Sequence, residues 1–212
     1  MKTTRFTPIP NLQLPTLSIK DLESLLTICK DFNIEHIRFT PGNQLSLSGF
    51  DETRKNELIK KLAIFMRPMP TNGISSIHSC TECTTCDKTT PDTRQITAQL
   101  ENLSLPGPMP AKIKVAVAGC KRCCTMPLVR DIGLIPVGNK WRLFFGGNGG
   151  RNPRIADIIA DNLHQSEAID LIQKCLTVYQ KLADQNMRTS TFIEQIGLNN
   201  FRDKIFQKKE SL

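Results

Sequence analysis

Apolar residues along the chain fall into alternating helix-like and strand-like spacings. Ser18-Ile-Lys-Asp21 has the form of a helix-starting cap, and Leu22, Leu25, Leu26 and Cys29 keep helical spacing to about Phe32. Residues 34–40 and 44–49 read as paired strands joined by Pro41-Gly42-Asn43. Asp51 opens a second helix, from Glu52 to about Phe65, which completes an αββα block. A turn-rich link over residues 67–73 follows. Residues 74–79 predict a short strand, and residues 92–103 a helix with Ile96, Leu100 and Leu103 on one face. After the Pro-rich link at 106–110 come three strand candidates, at 112–118, 132–137 and 141–145. Asn152 is expected to cap a helix with Pro153 in its first position, running to about Leu163. From Ser166 onward the pattern is helical and amphipathic, with a break near Gly197. No internal repeat is visible. The pattern is that of an α+β protein in three parts, residues 1–66, 67–165 and 166–212.

Composition narrows the class. The 212 residues suffice for one substantial domain or two small ones, and 39% apolar with 23% charged residues exclude a disordered chain. No apolar run approaches the ~20 residues of a membrane span, and the start lacks a signal peptide's apolar stretch. A soluble, cytoplasmic protein is expected. The net charge is +8, and its placement matters more than its size. Between Gly107 and Arg154 lie Lys112, Lys114, Lys121, Arg122, Arg130, Lys140, Arg142, Arg151 and Arg154, against a single acid, Asp131. A concentrated excess of this kind reads as an anion site.

Six of the eight cysteines form two knots. Cys80, Cys83 and Cys86 make C-x2-C-x2-C, and Cys120, Cys123 and Cys124 make C-x2-C-C. Cys29 and Cys175 sit alone in apolar patterns and read as buried thiols. In a reducing compartment such knots argue for metal over disulfides. Cys80/Cys83 with Cys120/Cys123 would satisfy a structural zinc site. Cys80 with Cys86 is also C-x5-C, and Cys120 with Cys124 is C-x3-C preceded by Gly119 at a strand end.

That second spacing, C-x5-C followed by G-C-x3-C, resembles the cluster signature of the siroheme-dependent nitrite and sulfite reductases. Asp92-Thr93, the strand from Lys112 into Gly119-Cys120, Val129-Arg-Asp-Ile-Gly133, Phe145-Gly-Gly-Asn-Gly-Gly-Arg151 and Pro153-Arg154-Ile155 follow in the family's order. Upstream, Ile37-Arg-Phe-Thr40 and Gln44–Gly49 are similar to its ferredoxin-like half. The resemblance implies an α+β fold: a ferredoxin-like αββα block, a mixed αβ siroheme/4Fe-4S block, and C-terminal helices. It implies that Cys80, Cys86, Cys120 and Cys124 hold a [4Fe-4S] cluster, with Cys124 also the proximal ligand of the siroheme iron. Lys112 and Lys114 resemble the K-x-K pair of the distal anion pocket, and Arg38 an anion- or haem-contacting arginine. Arg151 and Arg154, expected at a helix start, suit the macrocycle's carboxylates. Gly147, Asn148 and Gly149 suit close backbone approach to it.

Several positions depart from the family's usual residues. Thr81-Glu82 stands where Pro-Gly is usual, Gly42 where a second basic residue is common, and Cys123 where a small or amide residue is common. The function implied is a small assimilatory-type sulfite reductase, fed by an acidic ferredoxin-like donor, with a homodimer supplying the half a single repeat lacks. Nitrite reduction, or a non-catalytic siroheme-carrier or electron-transfer role, are the alternatives. A zinc-stabilised nucleic-acid module is disfavoured, because the basic residues surround glycine-rich strands and form no basic helix.

Overall fold

The computed structural model describes residues 5–9, 12–13, 17–40, 44–64, 66–68, 73–80, 92–105 and 107–206. The turn Pro41-Gly42-Asn43, Phe65, Thr81-Glu82, Cys83 and Cys86 lie outside them. The chain forms two compact units, Met1–Met69 and Pro70–Leu212.

In the first unit, Ser18 caps α1 (Ile19–Asp31) through a reciprocal capping box with Asp21. The inward face of α1 is Leu25, Ile28 and Cys29. Leu22 and Leu26, expected on that face, are exposed. β1 (Thr7–Pro8), β3 (His36–Phe39) and β4 (Leu45–Ser48) form an antiparallel sheet in the order β1-β4-β3. Leu45 and Leu47 on the central strand are fully buried and meet Leu58 and Leu62 of α2 (Lys55–Leu62) in one core. β2 (Leu12–Gln13) pairs antiparallel with β5 (Arg67–Pro68). The αββα order expected from the pattern is present, with β1 added from the N-terminal segment.

The second unit is built on a five-stranded sheet, ordered β10-β9-β8-β7-β6. β6 (Ile74–Ser79), β7 (Ile113–Val117) and β8 (Ile132–Val137) run parallel. β9 (Lys140–Phe145) and β10 (Asp157–Leu163) add to them antiparallel. α3 (Thr93–Glu101), capped by Asp92, is the crossover between β6 and β7 and buries Ile96 and Leu100. Parallel neighbours need such a crossover, and helical cover explains the near-continuous apolar run of β7. α4 (Gln165–Leu182), α5 (Thr189–Ile196) and α6 (Leu198–Phe206) share the sheet's core. Phe145 stacks on Phe201 with centroids 5.0 Å apart, and Phe192 meets Phe201 edge-on at 5.8 Å. Full burial of each such ring contributes about 1.5–3 kcal/mol.

One element differs in kind from the sequence expectation. Residues 157–163 form strand β10, not the end of a helix opened at Asn152. Pairing with β9 breaks register between Ile158 and Ala160 and again between Ala160 and Leu163. Bulges remove strict alternation, so Ile155, Ile158 and Ile159 take on a helical spacing that the backbone does not follow. Among the described residues no helix is long and apolar enough to cross a membrane.

Candidate functional site

The parallel strands deliver both described cysteine segments to one edge of the sheet. Ser79 and Val117, the last residues of β6 and β7, are register partners. The Cys80 amide continues the ladder, donating to Val117 O at 2.9 Å. Thr93, fully buried at the start of α3, donates its hydroxyl to Cys80 O at 2.5 Å, and so ties the helix to the cysteine. Crevices beyond the carboxyl ends of parallel strands are where open α/β sheets bind ligands. Cys120 enters a loop shaped by two left-handed residues, Cys123 (φ 54) and Met126 (φ 56). Cys123 N donates to Cys120 O at 3.2 Å, and Met126 N to Cys123 O at 2.8 Å. Left-handed backbone at non-glycine residues costs about 1–3 kcal/mol each and marks loops shaped for a purpose.

Cys124 is exposed, while Cys80, Cys120 and Cys123 are half-buried. Burial raises the Cys123 thiol above its ordinary range, with Cys120 and Cys124 adding to the shift. The donor set is all thiol, which suits an iron–sulfur cluster. Beside it the Thr125 hydroxyl is buried with no partner among the described residues. No three His, Cys, Asp or Glu side chains among the described residues gather closely enough to hold a metal. The fourth expected thiol, Cys86, lies outside them.

A polar cavity of about 430 Å³ opens between the strands and α5. Lys114, Arg130, Arg151 and Arg188 line it, with Asn148, Gly149 and Gly150 on one wall and Ser190, Thr191 and Glu194 on another. At its base Asp131 is 1% exposed. Its carboxylate accepts the Lys114 amide at 2.9 Å, the Thr189 hydroxyl at 2.5 Å and Arg188 Nη2 at 2.6 and 2.8 Å. Burial pushes the Asp131 carboxyl up, opposed by Arg188, the Thr189 hydroxyl and the Lys114 amide. Partial desolvation lowers the Lys114 ammonium, and the charges of Arg188 and Arg130 lower it further. A lysine held beside other cations in this way favours anion binding and parts with its proton more readily than a free one.

Apart from the cysteines, the site residues expected from sequence divide into four groups. Lys114, Asn148, Gly149 and Arg151 meet at this cavity. Lys112, also exposed on the β7 side, instead lines a second opening of about 650 Å³ with Ser75, Met109 and Asn186. Gly147 and Arg154 are bound up in the protein itself. A Cβ on Gly147 would lie 2.5 Å from Arg130 O and 2.8 Å from Leu128 O, so the chain's own backbone requires glycine there. Arg154 flanks no helix. It forms a bridge with Asn148, donates to Gly146 O at 2.9 Å, and pairs with Asp157 at 2.6 Å. Arg151, likewise expected at a helix start, sits instead in the bend before that bridge. Asn148 shapes the same loop, donating to Asn152 O at 2.7 Å and accepting from Gly150 N at 3.1 Å. Arg38 belongs to the first unit, where its guanidinium lies 3.9 Å over the Phe6 ring. Arg130 was expected only as one of the nine cations of the basic stretch, and Asp131 and Arg188 were not expected at the site. The signal for Asp131 was its isolation as the one acid within nine cations.

Comparison with known proteins places these features. Residues 71–211 match the nitrite and sulphite reductase 4Fe-4S domain, two-thirds of the chain. The chain belongs to that family. The resemblance read from the sequence therefore holds, and with it the oxidoreductase class and a cofactor pair of [4Fe-4S] cluster and siroheme. An assimilatory-type sulfite reductase of Nitratidesulfovibrio vulgaris is 26% identical over 197 residues, covering 93% of this chain and 90% of that protein. A nitrite reductase large subunit of Klebsiella oxytoca is 34% identical over 137 residues, covering 64% of this chain and 14% of that protein. Dissimilatory sulfite reductase I has a similar fold, with a TM-score of 0.78 at 10% identity over 96% of this chain and 69% of that one. Mycobacterium tuberculosis NirA follows at 0.71 and 15% identity, over 87% of this chain and 36% of that one. As a member of the 4Fe-4S domain family, the chain presents its cysteine segments at the ends of β6 and β7 and a cationic cavity lined in part by the same strand β7.

Proposed function

We propose that the chain is a small assimilatory-type sulfite reductase. Sulfite takes up six electrons and seven protons to leave hydrosulfide and three waters. The observation that carries this reading is the extent of the likeness, which runs over 90% of the length of the assimilatory-type sulfite reductase compared above. Cys80, Cys86, Cys120 and Cys124 hold the cluster in this reading, and Cys124, the exposed thiol of the described set, is shared with the siroheme iron. When bound, the siroheme supplies an electron-rich iron at which the S–O bonds are weakened.

The chain's own residues bind the anion, fix its orientation and deliver protons. Arg130, Arg151 and Arg188 offer planar N–H donors to oxyanion or carboxylate oxygens. Lys114, with its lowered proton affinity, is suited to hand protons to departing oxygens. Lys112 stands as a further anion contact by resemblance, whereas Arg154 is spent on Gly146 O, Asp157 and Glu194. Electrons come from an external donor, an acidic ferredoxin-like protein, and a second copy of the chain supplies the other half of the site.

The competing anion is nitrite, which the 34% identity to a nitrite reductase large subunit favours. Steady-state turnover of the anaerobically purified holoprotein under a strong reductant decides between them. A kcat/KM for sulfite well above that for nitrite is expected, and the reverse order would reassign the substrate. Bound siroheme without turnover of either anion would leave a carrier.

A further inference from the structure

We propose that Arg188 is an anion-binding residue of the 430 Å³ cavity, that Asp131 is the residue positioning it, and that the C-terminal helices thereby complete the binding site. The ligand's identity rests on the reductase reading above; the chemistry does not. Asp131 sits just before β8, and its two charged or hydroxylic partners come from 57 and 58 residues further along the chain. The same carboxylate accepts the backbone amide of Lys114 on β7. One buried group thus fixes a cation from the sheet and a cation from the start of α5 on one cavity.

The geometry of the Arg188 fork separates this role from simple charge neutralisation. An arginine that only neutralises a carboxylate usually meets it with two nitrogens in parallel. Arg188 meets both Asp131 oxygens with Nη2 alone, at 2.6 and 2.8 Å. Its Nε is buried with no partner among the described residues, as are the Nε of Arg130, on the same cavity, and the Nε of Arg202, which lies off it. Neither acid nearby answers them. The Asp131 oxygens are fully used, and Glu194 pairs with Arg154 at 3.5 Å. What sets Arg188 and Arg130 apart from Arg202 is their place on the cavity wall beside Lys114 and Arg151, a cluster of cations that suits a ligand with several anionic oxygens. A cavity of this volume falls in the range that takes organic ligands as well as small anions. The shared chemistry is a carboxylate of the macrocycle or the oxygens of the substrate anion.

Arg202 provides the control. It also ties a C-terminal helix to the sheet, donating to Ile158 O at 2.6 Å, but it lines no part of this cavity. The experiment compares the full chain with Arg188→Gln, Asp131→Asn and Arg202→Gln, purified without oxygen from cells that make siroheme. The readouts are extractable siroheme per chain, and the sulfite dissociation constant by visible titration. Arg188→Gln is expected either to lose siroheme, which identifies the macrocycle carboxylate, or to keep it while sulfite affinity falls about tenfold or more, which identifies the oxyanion. Asp131→Asn shifts the same readout, and Arg202→Gln leaves both at the wild-type level. If Asp131→Asn does not fold, the partly exposed Arg188 variant still carries the test. Wild-type siroheme content and sulfite affinity in Arg188→Gln, or losses equal to those of Arg202→Gln, would overturn the proposal. A wild-type chain without siroheme would sink the reductase reading instead, and Arg188→Gln must then still weaken sulfite binding measured by calorimetry.

Discussion

Lys114 is the residue whose titration reports most directly on the cavity. Its ammonium is lowered by partial desolvation and by the charges of Arg188 and Arg130. The positive charge is complete below that lowered value and is lost as pH rises through it, sooner than for an ordinary lysine. Sulfite affinity is therefore expected to fall on the alkaline side, and to fall less in Lys114→Arg, whose guanidinium keeps its proton. Titrations across that range check this, and equal pH slopes in the two proteins would contradict it. Lys114 was legible in sequence from the K-x-K spacing on a strand candidate, although Lys112, just before β7, lines the other opening. The partners of Lys114 were not. Asp131 and Arg188 are 57 residues apart, and no local pattern announces a contact closed only when α5 packs on the sheet.

At the scale of elements, the glycine loop after β9 shows how a motif can be recognised for one reason and built for another. Gly146–Gly150 suggested room for a macrocycle. Gly147 in fact abuts the backbone carbonyls of Leu128 and Arg130, the segment that leads to Asp131. Gly147→Ala is expected to cost about 1–3 kcal/mol, since backbone and not a flexible side chain must move. Thermal unfolding of the variant against wild type measures this, and an unchanged midpoint would return the glycine to the ligand's account. Most elements were legible from period alone, including β6, β8, α3 and the C-terminal helices. β10 was not, because its two bulges erase the alternation by which a strand is read, while Asn152-Pro153 imitates a helix start. Here pairing with β9 overrides the local signal.

At the scale of the molecule, residues 70–212 form one compact unit that carries both the described cysteine loop and the cationic cavity. Residues 107–154 of this unit carry nine basic residues against the single acid Asp131, in the strands and loops around the site. Such a field speeds encounter with an acidic donor, and is screened beyond about 10 Å at 0.1 M salt. The rate of reduction by an acidic ferredoxin is thus expected to fall as salt is added, measured by stopped-flow; a salt-independent rate would argue for a different donor. The family and its cofactor class were legible in the cysteine spacing and the motifs that follow it. The second half of the cavity wall was not, because it is assembled from helices whose sequence shows only amphipathic cover.

This chain is expected to hold a siroheme and a [4Fe-4S] cluster together. The visible spectrum of protein purified without oxygen from siroheme-making cells, with pigment extraction and iron analysis, tests it most directly. The expected result is a split haem spectrum, extractable siroheme and about five irons per chain, one cluster plus one haem iron. A broad brown spectrum with about four irons, no siroheme, and no activity after siroheme is added back would contradict it.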